Sequence, residues 1–170
     1  MDLDRDPRLV VADLLDDAAA ALRTIGPSHF RASGATIGSS PIGAHVRHVL
    51  DHFQSFRDGL AAGRIDYDAR ARDPRLETEL PVALAAMREH RAALLGLPDA
   101  ELDRAIAVFG FCGGSRAAAT STVRRELGYL ACHAIHHFAL VRLVARAHGV
   151  ELAPAFGVAP STIAAQAGHA

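Results

Sequence analysis

Histidine is the residue this chain uses out of proportion: there are ten in 170 residues, and six of them fall in two short clusters. His133 and His137 lie in Arg124–His148, RRELGYLACHAIHHFALVRLVARAH, a stretch without proline in which apolar residues recur at helical spacing. At about 100° per residue, Leu130, His137, Leu140, Val144 and Glu126 fall within roughly 60° of His133, with Arg124 and Arg142 opposite. Both imidazoles are therefore expected in the middle of the inward-facing stripe, one turn apart. Two neutral imidazoles so stacked can reach one cation, which is why His-x3-His serves metal sites. His136 is turned about 100° from His137 and is placed less well. Two core histidines bonded to neighbouring helices would carry the same spacing, so a third ligand from elsewhere decides the matter.

A second helix supplies candidates. Ser40 followed by Pro41 is an N-cap and first-turn signal, and the spacing predicts a helix over about 41–61. Ile42, Val46, Val49, Phe53, Phe56 and Leu60 form its apolar stripe. His45, His48 and His52 lie along one edge of that stripe, within about 60° of each other. Arg47, Asp51, Arg57 and Asp58 read as a solvated face. Helical bundles build metal sites from side chains on facing helices. Three imidazoles on one ion leave positions for water or substrate, the form of a catalytic site. They suit zinc or nickel, and also iron or manganese with water.

The elements that must position these residues follow from the remaining pattern. A first helix is expected over about 7–25, ended by Gly26 and Pro27, with a Gly- and Ser-rich loop over 26–40. Residues 62–75 read as a polar loop. A third helix is expected over about 76–96, with Leu80, Leu84, Met87, Leu94 and Leu95 inward and His90 structural or exposed. Residues 98–120 look non-helical; Ala105–Phe111 can form a strand turned at Gly113 and Gly114. Thr122 is the expected N-cap of the fourth helix. The expected class is all-α: a four-helix bundle with long crossover connections and a short β-hairpin before the last helix. One domain over 1–170 is expected, with its core at about 8–150 and a partly extended tail at 151–170.

Composition narrows the function classes. With 18 basic and 19 acidic residues the chain has no electrostatic case for nucleic acid or an anionic membrane. No apolar run approaches the roughly 20 residues of a membrane span. Cys112 and Cys132 make no disulfide framework, and Cys132 reads as a small core residue. A cytoplasmic protein acting on a small molecule is the resulting expectation. Ile135 and Phe138 lie away from the histidines on the fourth helix, and an apolar strip there suggests a homodimer. Glu126 lies on the His133 face; it can orient a ligand or pair with an Arg.

The stretch Ser40-Pro41-Ile42-Gly43-Ala44-His45-Val46-Arg47-His48, and later His133-Ala134-Ile135-His136-His137-Phe138-Ala139-Leu140, resembles the two motifs of the DinB-like family, which includes YfiT-type metal hydrolases. The resemblance spans about 8–150. Where the family has a Trp before the first motif helix, this chain has Ser40. Carried over residue by residue, the resemblance implies metal ligands at His48, His133 and His137, with His45 and His52 as alternatives or hydrogen-bonding partners. It implies a divalent metal and, as in characterised relatives, a low-molecular-weight thiol that the metal activates toward an electrophile. Metal-dependent hydrolysis and metal binding without turnover are the other activities it allows. Phe156-Gly157-Val158-Ala159-Pro160-Ser161-Thr162 resembles a subgroup ending with no role read from sequence.

Overall fold

The computed structural model describes residues 5–33, 40–112 and 114–167. Both histidine-bearing segments are long helices, α2 (Ile42–Ala62) and α6 (Val123–Ala147). Two more long helices complete the layer around them: α1 (Pro7–Phe30) and α4 (Leu80–Leu95). α6 packs on α2 and α1, and α4 packs on α1 and α2. Their inward stripes supply the core, in which Leu15, Leu22, Leu50, Phe53, Phe56, Met87, Leu127 and Phe138 are at most 2% exposed. Burying one such side chain stabilises by about 1.5–3 kcal/mol, so these helices are held by their faces more than by propensity.

The all-α expectation is corrected. A three-stranded mixed sheet is built into the domain, in the order β1-β2-β3: β1 (Arg64–Asp66), β2 (Ala105–Cys112) and β3 (Ser115–Thr122). β2 and β3 form the antiparallel hairpin expected before α6; the turn residue Gly113 lies outside the described residues. β1 joins this hairpin in parallel, pairing Ile65 with Val108. It falls inside the stretch expected to be a polar loop. Its cue is the alternation of Ile65 and Tyr67, which are 0% and 7% exposed. Ile65 on β1 and Ile106 on β2 are both buried and bring the sheet onto the helices. Three short helices also join the four long ones among the described residues: α3 (Arg75–Thr78), α5 (Asp99–Leu102) and α7 (Pro160–Ala167).

Several boundaries differ from the sequence pattern for local reasons. α1 does not stop at Gly26; the chain kinks there, at φ 70°, and one more turn carries Phe30 into the core. Residues 34–39 of the loop expected after it lie outside the described residues. Ser40 does not cap α2: Pro41 is the N-cap residue, with no side-chain hydrogen bond. The single helix expected over 76–96 is two, α3 and α4, with Glu79 extended between them. Pro81 explains the break, since its ring would meet the carbonyl four residues back and it offers no N–H. Thr122 caps α6 as expected, accepting from Arg125 N at 3.2 Å. By length and hydropathy alone α6 is apolar enough to cross a membrane; in this fold its apolar face packs on α1 and α2.

The tail is a strap across α6. Phe156 stacks on Phe138 with ring centres 5.3 Å apart, and Arg142 Nη1 donates to Pro154 O at 2.7 Å. Gly157 (φ +72°) lies so close that a Cβ there would come within 2.6–2.7 Å of Ala139 N, Ala139 Cα and Phe138 C. Only glycine fits, on both conformational and steric grounds. The strap covers Phe138, one of the two residues of the apolar strip; Ile135 is half-buried.

Candidate metal centre

The rotation of α6 sets the character of the site. Its buried residues centre on Leu127, Ala134, Phe138 and Val141. His133 and His137 therefore stand at the edge of the inward face, half-buried, and not in its middle as expected. Cys132, expected in the core, is exposed. The edge position is what a site needs: walls of protein on one side and access on the other.

Across from α6, α2 brings three imidazoles to that edge. His48 lies between the two α6 histidines, with ring centres 5.0 Å from His133 and 4.5 Å from His137; His133 and His137 are 4.7 Å apart. Each of the three offers a ring nitrogen, and these atoms lie within 4.8 Å of one another. A three-histidine group of this kind could hold a metal ion. The donor set fits a divalent cation because His133 Nε2 is buried without a hydrogen-bond partner among the described residues. A buried polar atom left unpaired calls for a further partner, and a cation is one that a neutral imidazole nitrogen can take. Burial, reinforced by the neighbouring imidazoles, pushes His48 and His133 down to about 3 and His137 down to about 4. All three are neutral at physiological pH, with a lone pair to give.

His52 and His45 are placed differently, and their partners explain why they stand outside the group. His52 Nδ1 lies 2.8 Å from His48 O, and a carbonyl only accepts, so Nδ1 carries the proton. Its Nε2 then accepts from Arg70 Nη1 at 3.3 Å. With both nitrogens engaged, the ring is a wall: it packs 4.0 Å from His133 and stacks on Tyr67 at 5.4 Å. His45 Nδ1 meets His137 Nδ1 at 3.2 Å. If His137 gives a cation its Nε2, its Nδ1–H donates to His45, an orienting bond of the sort metal-bound imidazoles make. His45 Nε2 is also buried without a partner. His136 is exposed, edge-on to His137, and does not join the three.

Glu126 does not reach the histidines. Its carboxylate is 1% exposed and accepts from Ser121 Oγ at 2.6 Å, Tyr67 Oη at 2.9 Å and Arg125 Nη1 at 3.0 Å. The ion pair with an arginine expected from sequence is there, and two hydroxyls are added to it. Through Tyr67 this carboxylate orients the wall beside His52. Tyr129 stacks on His133 at 5.7 Å and lies 4.9 Å from Tyr67. Tyr129 lies one turn before His133, a spacing that could have revealed it; Tyr67 and Arg70, on the stretch after β1, carried no comparable cue. A cavity of about 310 Å³ opens beside this wall, lined by His52, Tyr67, Phe109, Arg125, Glu126 and Tyr129. Asp51, expected on a solvated face, is 6% exposed, 3.9 Å from Arg47. Burial raises its pKa.

The fold and site together define a class: a mainly helical domain with a small mixed sheet and a three-histidine group able to hold a metal. No protein-family model, curated protein or solved structure matches this chain.

Proposed function

We propose that this protein is a metal-dependent enzyme of DinB-like type, in which His48, His133 and His137 hold one divalent ion, zinc or nickel before iron or manganese. The reaction we assign is transfer of a low-molecular-weight thiol to a small electrophile. The observation that carries the reading is the convergence of ring nitrogens from three neutral imidazoles within 4.8 Å; one of these rings, His133, also has a buried nitrogen without a hydrogen-bond partner among the described residues. When bound, such an ion supplies Lewis acidity that brings a thiol's pKa toward neutrality. The chain's own residues do the rest. His45 fixes the His137 ring. His52, held by the His48 carbonyl and Arg70, keeps its lone pair from competing for the ion. The aromatic wall of Tyr67, Phe109 and Tyr129 gives an electrophile an apolar surface beside the ligands, and rate is gained by holding it near the sulfur. The thiol proton leaves to solvent and the sulfur–carbon bond forms as a carbon–halogen bond breaks and releases halide, or as an epoxide carbon–oxygen bond breaks and its oxygen takes up a proton.

The test uses tag-free protein, metal analysis, and a panel of cellular thiols with a chromogenic electrophile, comparing metal-loaded and metal-stripped forms. One ion per chain at this group and metal-dependent transfer are expected. His133→Ala/His137→Ala should lose that ion, and His45→Ala should weaken it about 10–100-fold. An unchanged ion in the double variant overturns the ligand assignment. Ester or amide hydrolysis without thiol transfer would make the protein a hydrolase, and neither activity would make it a metal-binding bundle.

A further inference from the structure

A second pair of imidazoles meets on a different part of the molecule. His29 and His148 have ring centres 5.8 Å apart, with planes inclined at 44°. His29 sits on the turn of α1 beyond the Gly26 kink, next to fully buried Phe30, and His148 is the C-cap residue of α6. Both rings are accessible: His148 is exposed and His29 half-buried. Each is held by a main-chain carbonyl: His29 Nδ1 is 3.1 Å from Ile25 O, and His148 Nε2 is 3.1 Å from Ser33 O. Because a carbonyl oxygen only accepts, those two nitrogens carry the protons. His29 Nε2 and His148 Nδ1 are left with the lone pairs of the neutral rings.

An imidazole that donates one N–H to a carbonyl and keeps its other nitrogen for a cation is the usual arrangement of a metal ligand. Two rings sharing a zinc at about 2.0–2.1 Å through nitrogen have centres roughly 5–6 Å apart, and this pair falls in that span. Both rings also stand at helix C-termini, where the carbonyl end of the helix dipole favours a positive charge. These are independent observations: fixed tautomers, ring separation, and the local field. We propose that His29 and His148 form a second divalent-metal site, for zinc or another imidazole-seeking ion such as nickel or copper, with water completing the coordination. The bound ion fastens the end of α1 to the end of α6. The site is independent of the three-histidine group and of the activity assigned to it.

Equilibrium dialysis of tag-free protein against buffered zinc, with zinc counted per chain, tests this. The His133→Ala/His137→Ala variant isolates the second site. It should bind one zinc, weakened at least tenfold by His29→Ala or by His148→Ala and abolished by both, while exposed His136→Ala changes nothing. Ring-proton NMR of the same protein gives a second readout that needs no loss-of-ligand variant: zinc should shift the His29 and His148 resonances together. Zinc uptake that survives removal of both residues, absence of any uptake by the isolating variant, or zinc-insensitive His29 and His148 resonances would overturn the site.

Discussion

Replacing Gly157 by Ala should cost far more stability than replacing Gly149 by Ala, and the difference measures the strap's contact with α6. Both glycines have nearly the same left-handed backbone, φ +72° and φ +74°. An added Cβ at Gly149 meets nothing within 4 Å among the described residues; at Gly157 it meets helix backbone at 2.6–2.7 Å. The conformational cost, about 1–2 kcal/mol, is common to both, as is the loss of unfolded-chain entropy that opposes it. Only Gly157 adds an overlap with atoms that cannot move aside, about 1–3 kcal/mol in a packed region. The total has a ceiling, because the strap can instead leave the helix. Leaving exposes Phe156, worth about 1.5–3 kcal/mol, and breaks its pairing with Phe138, worth about 0.5–1.5 kcal/mol. Gly149→Ala should therefore cost about 1 kcal/mol and Gly157→Ala about 3 kcal/mol. In a domain of this size that is about 2–4 °C against about 6–12 °C in Tm. Thermal unfolding by circular dichroism reads the first quantity. Limited proteolysis reads the second, because an undocked strap is cut near Pro154 while the rest survives. Equal Tm losses for the two variants would refute the close approach.

Two further outcomes follow from buried polar groups. Tyr67→Phe removes one donor from the buried Glu126 carboxylate and should cost about 1.5–3 kcal/mol in denaturant unfolding, with metal content unchanged because the ring stays on His52; Glu126→Leu, which strands two hydroxyls, should cost more, and an unaltered midpoint in both would remove the network from the account. His90 is 3% exposed, and burial, then Arg57, pushes it down to about 4. Its unfolded form protonates near the ordinary 6.5. The unfolded chain thus takes up the proton first, so this contribution is intact above pH 6.5 and is lost as pH falls toward 4, by about 3 kcal/mol in all. Metal-stripped His90→Leu should show a flatter stability profile between pH 7 and pH 4 than the parent, as judged by urea midpoints; parallel profiles would exclude His90 as a source of acid lability.

The long helices were legible because hydrophobic spacing over twenty residues outweighs local noise. The candidate ligands were legible because imidazoles at i, i+4 are uncommon on an apolar face. What failed to show in the sequence depends on partners distant in the chain. Three residues, Arg64–Asp66, are too few for a strand pattern, and their pairing with β2 is what makes them a strand. Asp51 looks solvated on a helical wheel and is buried by what packs over it. The two α6 histidines were expected mid-stripe because periodicity locates an apolar face only to within a residue or so, whereas Phe138 and Ala134 set its centre. The resemblance alone favours His48 over His52; the physical reason lies in partners, since the His48 carbonyl and Arg70 occupy both nitrogens of His52, and the Arg70 contact does not follow from spacing.

The three histidines are drawn from places far apart in the chain: His48 precedes His133 by 85 positions (133 − 48). A cation shared between them would close that whole span as a reversible cross-link, and clips on long loops restrict the unfolded chain most. Its release would break three bonds to nitrogen at an edge that is open to solvent, and separation of α2 from α6 would hasten it. The rate at which a chelator strips the ion would then rise with the opening of that seam. The Phe156–Gly157 strap lies against the same turn of α6, one and two residues beyond His137, and loosening it should raise that rate.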